Sequence, residues 1–169
     1  FNGLAAYEEK DETPFRFGSF TTMGELYVET GLNELRMSNY RRILSLDSAM
    51  VVVQFDKDGV QYQRKYFISY PDSVMVMKFT ANQSGKQNLI LSYCPNSEAK
   101  SNLRADGKDG LVYTGVLDNN GMKFAFRIKA IHKGGTLEAE NDRLIVKGAD
   151  EVVFLLTADT DYKMNFNPD

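Results

Sequence analysis

The segment of residues 40–79 constrains the fold most, because it predicts four antiparallel strands in succession. Residues 56–59, Asp-Lys-Asp-Gly, form a turn sequence between two of these strands, since Asp-Gly tolerates the positive φ angles of tight hairpins. Residues 74–79 are apolar on both faces, which predicts a strand in the middle of a sheet. Another strand has a period of two, so that one face holds Val60, Tyr62, Arg64, Tyr66, Ile68 and Tyr70.

The rest of the sequence continues this pattern. Residues 152–156 are apolar on both faces, and turn sequences at 118–121, 134–135 and 140–142 separate further strand-like runs. Runs that recur at roughly 8 to 12 residues are typical of a sandwich or barrel. We therefore predict a mainly β chain, an antiparallel β-sandwich of the supersandwich kind with at most short helices. Residues 121–132 alternate, and their apolar face holds Met122, Phe124, Phe126, Ile128 and Ala130.

Three segments do not fit a strand. Residues 4–10 and 29–37 leave room for short helices. Residues 95–109, rich in Asn, Ser, Lys and Asp, form the longest candidate loop. Because a long loop in a small domain is uncommon, we expect this segment to be mobile or to bridge the two sheets.

Composition limits the classes of function. The chain has 169 residues, 43% hydrophobic and 25% charged, with a formal net charge of −3 and an isoelectric point of about 5.3. That is the size of one globular domain, and it lacks the basic footprint of a nucleic-acid-binding protein. No apolar run approaches the roughly 20 residues of a membrane span. We expect neither a nucleic-acid partner nor a membrane span.

The sequence offers little for metal, cofactor or nucleophilic chemistry. The one cysteine, Cys94, and the one histidine, His132, lie on different predicted strands, so neither a zinc site nor a Cys–His pair is expected. Cys94 is interpreted as a half-buried thiol at a strand end. Asp56 and Asp58 resemble part of a calcium loop, but Phe67 stands where the bidentate glutamate belongs, which favours a hairpin turn. We predict no metal and no cofactor.

Carboxylates are the residues a glycosidase would need, since two carboxyl groups must flank the scissile bond. Most of those present lie at predicted strand ends or in turns, where acidic residues are common for backbone reasons. The sequence does not place two of them across a cleft, so none is assigned a catalytic role. The candidates are Glu25, Glu29, Asp47, Asp72, Asp150, Glu151, Asp159 and Asp161.

Tyrosines offer a second possible site. Tyr62, Tyr66 and Tyr70 share a predicted face and could form a platform for a sugar ring. Large aromatic side chains also fill the core of a sandwich, and this interpretation is favoured. The chain has no tryptophan, which counts against a dedicated carbohydrate-binding module.

A series of motifs in a fixed order resembles a known family. Over residues 20–162 the chain resembles the N-terminal domain of glycoside hydrolase family 95, the α-L-fucosidase family. That family often has Asp where Ser45 stands and Glu where Lys65 stands, both at positions expected to face outward. The motifs are residues 23–28 (Met-Gly-Glu-Leu-Tyr-Val), Tyr40-Arg41-Arg42, residues 44–49, Gly59, Arg64 with Phe67, residues 69–72 (Ser-Tyr-Pro-Asp) with Val74 and Val76, Gly110-Leu111 with Thr114-Gly115, and residues 148–151, 155–158 and 160–162.

The resemblance implies a domain arrangement and a partner. Residues 1–19 would be a partly irregular lead-in, residues 20–162 a single β-sandwich, and residues 163–169 the start of a linker to a catalytic (α/α)6 barrel. In the family the barrel carries a glutamate acid and an aspartate base and inverts the anomeric centre. The expected partner is therefore a barrel of the same polypeptide and, through it, fucosylated glycans or related glycans with L-galactose. No catalytic residue is carried over to this chain.

The same resemblance implies a non-catalytic role. We expect the sandwich to pack on the barrel and stabilise it, with residues 40–42 and 70–72 shaping the sandwich and its docking face. A further hypothesis is that residues 95–109 reach the barrel's cleft. The alternatives are a free-standing carbohydrate-binding or adhesion module and an independent enzyme on this sandwich. A periplasmic or extracellular location is expected from the family alone.

Overall fold

The protein is described by a computed structural model that covers residues 22–33, 35–95, 99–118 and 121–163. These residues form twelve β-strands in two antiparallel sheets, which confirms the predicted β-sandwich. The described residues of the segment 29–37 are not helical, and residues 4–10 lie outside the described part. Within the described ranges, no helix has the length and apolar character that crossing a membrane takes.

The large sheet has eight strands in the spatial order β2-β3-β4-β5-β12-β9-β8-β7. Every neighbouring pair in it is antiparallel. Its strands are β2 (Ser38–Ser45), β3 (Met50–Lys57), β4 (Val60–Ser69), β5 (Val74–Ala81), β7 (Ala99–Ala105), β8 (Gly110–Leu117), β9 (Lys123–Lys133) and β12 (Glu151–Thr160).

The small sheet has four strands in the order β1-β6-β11-β10, also antiparallel throughout. Successive strands of the chain repeatedly change sheet, so the two layers are joined by several crossings. The strands are β1 (Gly24–Glu29), β6 (Gln87–Pro95), β10 (Thr136–Glu140) and β11 (Arg143–Ala149).

Residues 40–79 lie in four adjacent strands of the large sheet, β2 to β5, as predicted. Between β3 and β4, Lys57 pairs with Val60, which leaves a hairpin loop of two residues. Those residues, Asp58 (φ 50°) and Gly59 (φ 75°), both have the left-handed φ that a two-residue hairpin of type I′ requires. The predicted hairpin is therefore confirmed.

The chain passes from the large sheet to the small sheet at a pair of glycines, where the sequence predicted a break. β9 ends at Lys133, and Gly134 (φ 68°) and Gly135 (φ 64°) precede β10. A Cβ atom on Gly135 would lie 2.2 Å from the carbonyl oxygen of Lys147. Both the left-handed backbone and this close approach require glycine.

The main core fills the space between the sheets. It is built from alternate residues of β5, β12, β9 and β8 in the large sheet, which face β6 and β11 in the small sheet. Burying one such large side chain stabilises the fold by about 1.5–3 kcal/mol. The apolar face predicted for β9 is confirmed by its burial pattern, and β5 and β12 lie mid-sheet as predicted. Fully buried members include Leu89, Leu91, Leu111, Tyr113, Ile128, Leu144, Val146, Val152 and Phe154.

A second, smaller core lies beneath β3 and β4. Val53, Phe55, Val60 and Tyr62 form it, and the partly buried Leu32 and Met37 pack against it. The Nζ atom of Lys57 donates a hydrogen bond to the Leu35 carbonyl, which ties the segment before β2 to the end of β3. This segment therefore acts as a small cover over β3 and β4.

The expectation of a long loop at residues 95–109 is wrong. Residues 99–105 form β7, which pairs with β8 along its whole length and is an edge strand of the large sheet. Its outward residues Lys100, Asn102 and Arg104 are polar, as is common on edge strands, where charge discourages pairing with another chain. This polarity hid the strand pattern. The chain does cross from the small sheet (β6) to the large one (β7) in this region.

Candidate docking surface and outer groove

The two sheets differ in size, so part of the large sheet has no layer over it. The small sheet covers β5, β12, β9 and β8, and residues of the segment before β2 cover one part of β3 and β4. On the inner face of the large sheet, the far ends of β2 and β4 contact neither core. The side chains there decide what this surface can bind.

Four large apolar side chains lie at this end of the sheet and are exposed, and we call them the apolar corner. Across the strands, Leu44 pairs with Val51, Val51 pairs with Tyr66, and Ile68 pairs with Met75, so the corner continues into the buried rows of the same face. Exposed apolar side chains that cluster in this way mark an interaction surface. The members are Leu44 (64% exposed), Leu46 (83%), Ile68 (70%) and Tyr70 (92%), whereas Tyr40 (60%) is exposed near the start of β2, toward the opposite end of the sheet.

Two hairpin turns place Leu46 and Tyr70 at the same end of the sheet. The β2–β3 turn contains Leu46, and the β4–β5 turn contains Tyr70. In the second turn, the Ser69 hydroxyl donates a hydrogen bond of 2.6 Å to Asp72 Oδ2, and the Ser73 amide donates to the Tyr70 carbonyl at 3.3 Å. The turn is thus held by its own hydrogen bonds, while Tyr70 is exposed to solvent.

The three tyrosines considered as a sugar platform separate in the structure. Tyr62 is buried and stacks on Phe55 with ring centroids 5.3 Å apart. Tyr66 packs edge-on against Phe79, at 6.1 Å between centroids. Burial raises the pKa of the Tyr66 phenol, and the nearby Arg64 guanidinium partly opposes that shift. Only Tyr70 is exposed, so the stripe does not form a shared platform.

The outer face of the large sheet carries a second apolar feature. Met50 pairs with Phe67, Phe67 with Val76, and Val76 with Leu155, so four apolar residues form one row across four strands. All four are half-buried, and none belongs to either described core cluster. This row adds to the apolar surface that the described chain leaves without a second layer.

An open groove, which we call the outer groove, lies on the outer face of β7, β8, β9 and the end of β12. Its volume is about 680 Å³. Strand pairing arranges its side chains in two rows. The first row is Asn102, Thr114, Ala125 and Asp159, and the second is Lys100, Val116, Lys123 and Asp161.

Backbone amides fix the two aspartates of the groove. The Lys123 amide donates a hydrogen bond of 2.8 Å to Asp161 Oδ1, and the Thr160 amide donates to Asp159 Oδ1 at the same distance. At the rim, Lys100 Nζ lies 3.8 Å from Asp118 Oδ1. The groove therefore presents oriented carboxylates beside two lysines.

Most of the other candidate carboxylates are engaged in local structure. Asp150 Oδ1 accepts a hydrogen bond of 2.8 Å from the Gly85 amide, and Glu151 forms an ion pair of 2.7 Å with Lys78. Glu25 accepts a hydrogen bond from the Tyr27 hydroxyl, and this bond raises the pKa of Tyr27. Glu29 is exposed at the end of β1, and Asp47 is exposed in the β2–β3 turn.

Of the eight candidates, only Asp159 and Asp161 line a shared groove. They lie side by side at the end of one strand, not on opposite walls. The arrangement is suited to hydrogen bonding of a ligand.

The structure does not bring Cys94 and His132 together. Cys94 is exposed on β6 opposite Glu25, rather than half-buried as expected. His132 Nδ1 contacts the Gly134 carbonyl at 2.8 Å. Asp56, considered for calcium, instead accepts hydrogen bonds from Asn39 and Gln61. Across the described ranges, no group of three His, Cys, Asp or Glu residues is placed to hold a metal ion.

The fold and these surfaces define a class: an antiparallel β-sandwich of two sheets with exposed apolar surface. Residues 4–165 match the family described as "Glycosyl hydrolase family 65, N-terminal domain", and the chain belongs to that family. The resemblance to the N-terminal domain of a glycoside hydrolase is thus confirmed. The matching family is named for family 65, so the finer assignment to family 95 stays a proposal.

Among the proteins similar to the chain are two curated relatives and a solved structure. "Probable alpha-fucosidase A" of Aspergillus niger is 28% identical over 163 residues, covering 90% of this chain and 19% of the relative. "Alpha-L-fucosidase 2" of Arabidopsis thaliana is 23% identical over 167 residues, covering 85% and 20%. The chain thus spans about a fifth of the length of these relatives.

The solved structure is a putative kojibiose phosphorylase from human microbiome. It aligns with a TM-score of 0.56 at 10% identity, over 81% of this chain and 22% of that one. At this identity the likeness concerns the fold alone.

The sequence pointed to Tyr70, Asp159 and Asp161 but not to most of the residues of the two surfaces. Leu44 and Ile68 follow the same apolar alternation as core residues, so their exposure depends on where the small sheet ends. Asn102 was missed because its strand was interpreted as a loop. The turn at residues 118–121 was predicted to separate two strands, but the pairing of Thr114 with Ala125 comes from the structure.

Proposed function

We propose that this chain is the non-catalytic N-terminal domain of a glycoside hydrolase of the α-L-fucosidase type. One observation carries the proposal: two curated α-fucosidases align with 85–90% of the chain, but with only 19–20% of their own length. The ordered motifs of residues 20–162 support the same family. In this proposal, the parent enzyme is an inverting hydrolase of α-L-fucosides or of related α-L-galactosides.

The proposed chemistry lies in a catalytic (α/α)6 barrel of the same polypeptide, joined after residues 163–169. In support, Asp72, Asp150 and Glu151 each have a partner within the sandwich, so their carboxylates already serve local structure. The two groove aspartates are neighbours at one strand end. A pair that flanks a glycosidic bond must face it from opposite sides.

The proposed role of the sandwich is to pack on the barrel through its apolar corner. Leu44, Leu46 and Ile68 would lose most of their exposed surface there, and Tyr70 could keep its hydroxyl at the rim. Interfaces between domains of one chain typically bury about 600–1,500 Å². Contact of this kind would hold the barrel in place and stabilise both partners.

Hydrogen exchange compares the free and the docked sandwich directly. We expect the amides of residues 44–50 and 68–74 to exchange more slowly in the full-length polypeptide than in the 169-residue chain. Residues 138–143, on the edge of the small sheet, serve as an internal control and should exchange alike in both. Equal exchange at the corner in the two proteins would refute docking through this surface.

A further inference from the structure

We propose that the outer groove binds a neutral oligosaccharide. The proposal goes beyond the accessory role above and does not depend on which sugar a parent enzyme cleaves. It rests on three features of the groove: its size, its polar rows and its balance of charge. At about 680 Å³ it lies within the roughly 300–1,000 Å³ of small-molecule sites.

The side chains of the groove suit sugar hydroxyls. Asp159 and Asp161 are each held through Oδ1 by a backbone amide, so the second oxygen of each carboxylate can accept from a hydroxyl without losing rotamer freedom. Asn102 and Thr114 can both donate and accept, and Lys123 can donate. Hydroxyl groups need both roles, and the two rows supply both.

The groove also has apolar surface of the kind that sugar C–H groups contact. The short Ala125 side chain leaves room at its centre, and the methyl groups of Val116 are partly exposed. Tyr162, 67% exposed, follows the groove residue Asp161 directly in the chain. Its amide donates to the Thr160 hydroxyl at 3.4 Å, which fixes the backbone at this point.

Charge and composition favour a neutral glycan over a docked protein segment. Two lysines and two aspartates line the groove, so their formal charges cancel and an ionic ligand gains little. The large apolar side chains expected at a protein interface lie instead at the apolar corner. An open groove lined mostly by short side chains encloses a ligand only partly, so we expect weak binding, with a Kd of about 1 mM.

The test is a two-dimensional NMR titration of the ¹⁵N-labelled chain with 2′-fucosyllactose, lactose and kojibiose. Residues 100–102, 114–116, 123–125 and 159–162 are expected to shift with at least one of these sugars. The variant Ala125→Trp fills the groove from the outer face, away from the core, and should weaken binding at least tenfold. Thr114→Val should weaken it several-fold, whereas Thr136→Val, on an exposed edge of the small sheet, should not.

Three results would overturn the proposal. The first is that none of the sugars shifts the groove amides at concentrations well above about 1 mM. The second is that Ala125→Trp folds and binds like the parent chain. The third is that groove amides are protected from exchange in the full-length polypeptide without sugar, which would make the groove a contact with another part of the protein. None of these results bears on whether the parent enzyme cleaves fucosides.

Discussion

Lys65 on β4 lies directly opposite Lys78 on β5, with both side chains on the outer face of the large sheet. Lys78 Nζ is 2.7 Å from Glu151 Oε2, on the next strand. The Glu151 carboxylate therefore pairs with Lys78, and Lys65 faces that same lysine from the other side. Like charges directly opposite in a sheet are destabilising.

Replacing Lys65 by glutamate should stabilise the chain. Lys65→Glu converts a repulsive pair into an attractive one, and cross-strand pairs contribute roughly 0.2–1 kcal/mol. Urea unfolding of the chain should show an increase of this size, which shrinks at high salt because the pair is partly exposed. The variant Lys65→Gln removes only the repulsion, so its free energy of unfolding should lie between those of the parent chain and Lys65→Glu. A decrease on introducing glutamate would contradict this account of the outer face.

The apolar corner should drive self-association of the isolated chain. The double variant Leu44→Ser/Ile68→Ser removes two large exposed apolar side chains and should reduce light scattering at high protein concentration. Its free energy of unfolding should change by no more than about 1 kcal/mol, because exposed positions contribute little. The control Phe154→Ala, in the main core, should cost about 3–5 kcal/mol. Scattering that is low in the parent chain, or equal in the variant, would mean that the corner is not adhesive.

The glycine pair between the sheets should tolerate substitution poorly. Gly135→Ala places a Cβ atom 2.2 Å from the Lys147 carbonyl oxygen and 2.5 Å from the Gly148 carbonyl carbon. Gly59→Ala is the matched control, since Gly59 also has positive φ but no heavy atom within 4 Å of such a Cβ. The control should cost about 1–2 kcal/mol from backbone strain alone. The free energy of unfolding should fall clearly further in the Gly135→Ala variant. Equal decreases in the two variants would argue against the close approach at Gly135.

Stability should fall at alkaline pH because of buried tyrosines. Burial raises the pKa of Tyr93 above its ordinary value of 10.0, and Tyr62 and Tyr66 shift in the same direction for the same reason. Below pH 10 the phenols are protonated in both states. Above it, the unfolded chain ionises first, so the free energy of unfolding declines until the folded pKa is reached.

The variant Tyr93→Phe tests this dependence by urea unfolding between about pH 8 and pH 11. At neutral pH it should cost about 0.5–1.5 kcal/mol, because the Tyr93 hydroxyl donates to the Met23 carbonyl. Above pH 10 the free energy of unfolding of the variant should fall less steeply with pH than that of the parent chain. The exposed Tyr70→Phe serves as control. A slope unchanged by Tyr93→Phe would show that this phenol does not govern the alkaline loss.

Local patterns were sufficient to predict most strands. The alternation of residues 124–130 and the Asp58-Gly59 turn depend on neighbours in sequence, so they could be predicted without tertiary information. Strand β7 could not be predicted in this way. It is an edge strand with Lys100, Asn102 and Arg104 on one face, so its sequence shows no clear alternation of apolar and polar residues. The order of strands in each sheet is likewise a long-range property, and residue patterns alone did not specify it.

The candidate surfaces depend still more on tertiary structure. Leu44 and Leu91 have similar character in the sequence, yet Leu91 is fully buried beneath the large sheet and Leu44 is exposed. The difference comes from where the four-stranded sheet ends. Asp159 and Thr114 are 45 positions apart and share the groove because β9 lies between their strands.

The central claim is that this sandwich is the accessory domain of an α-L-fucosidase-type hydrolase. The most direct test measures fucose release from 2′-fucosyllactose by the full-length polypeptide and by the 169-residue chain, with the anomer of the product followed by NMR. We predict that the full-length polypeptide releases fucose with inversion of the anomeric centre and that the isolated chain releases none. Fucose release by the chain alone, or a full-length polypeptide that cleaves neither fucosides nor L-galactosides, would contradict the account.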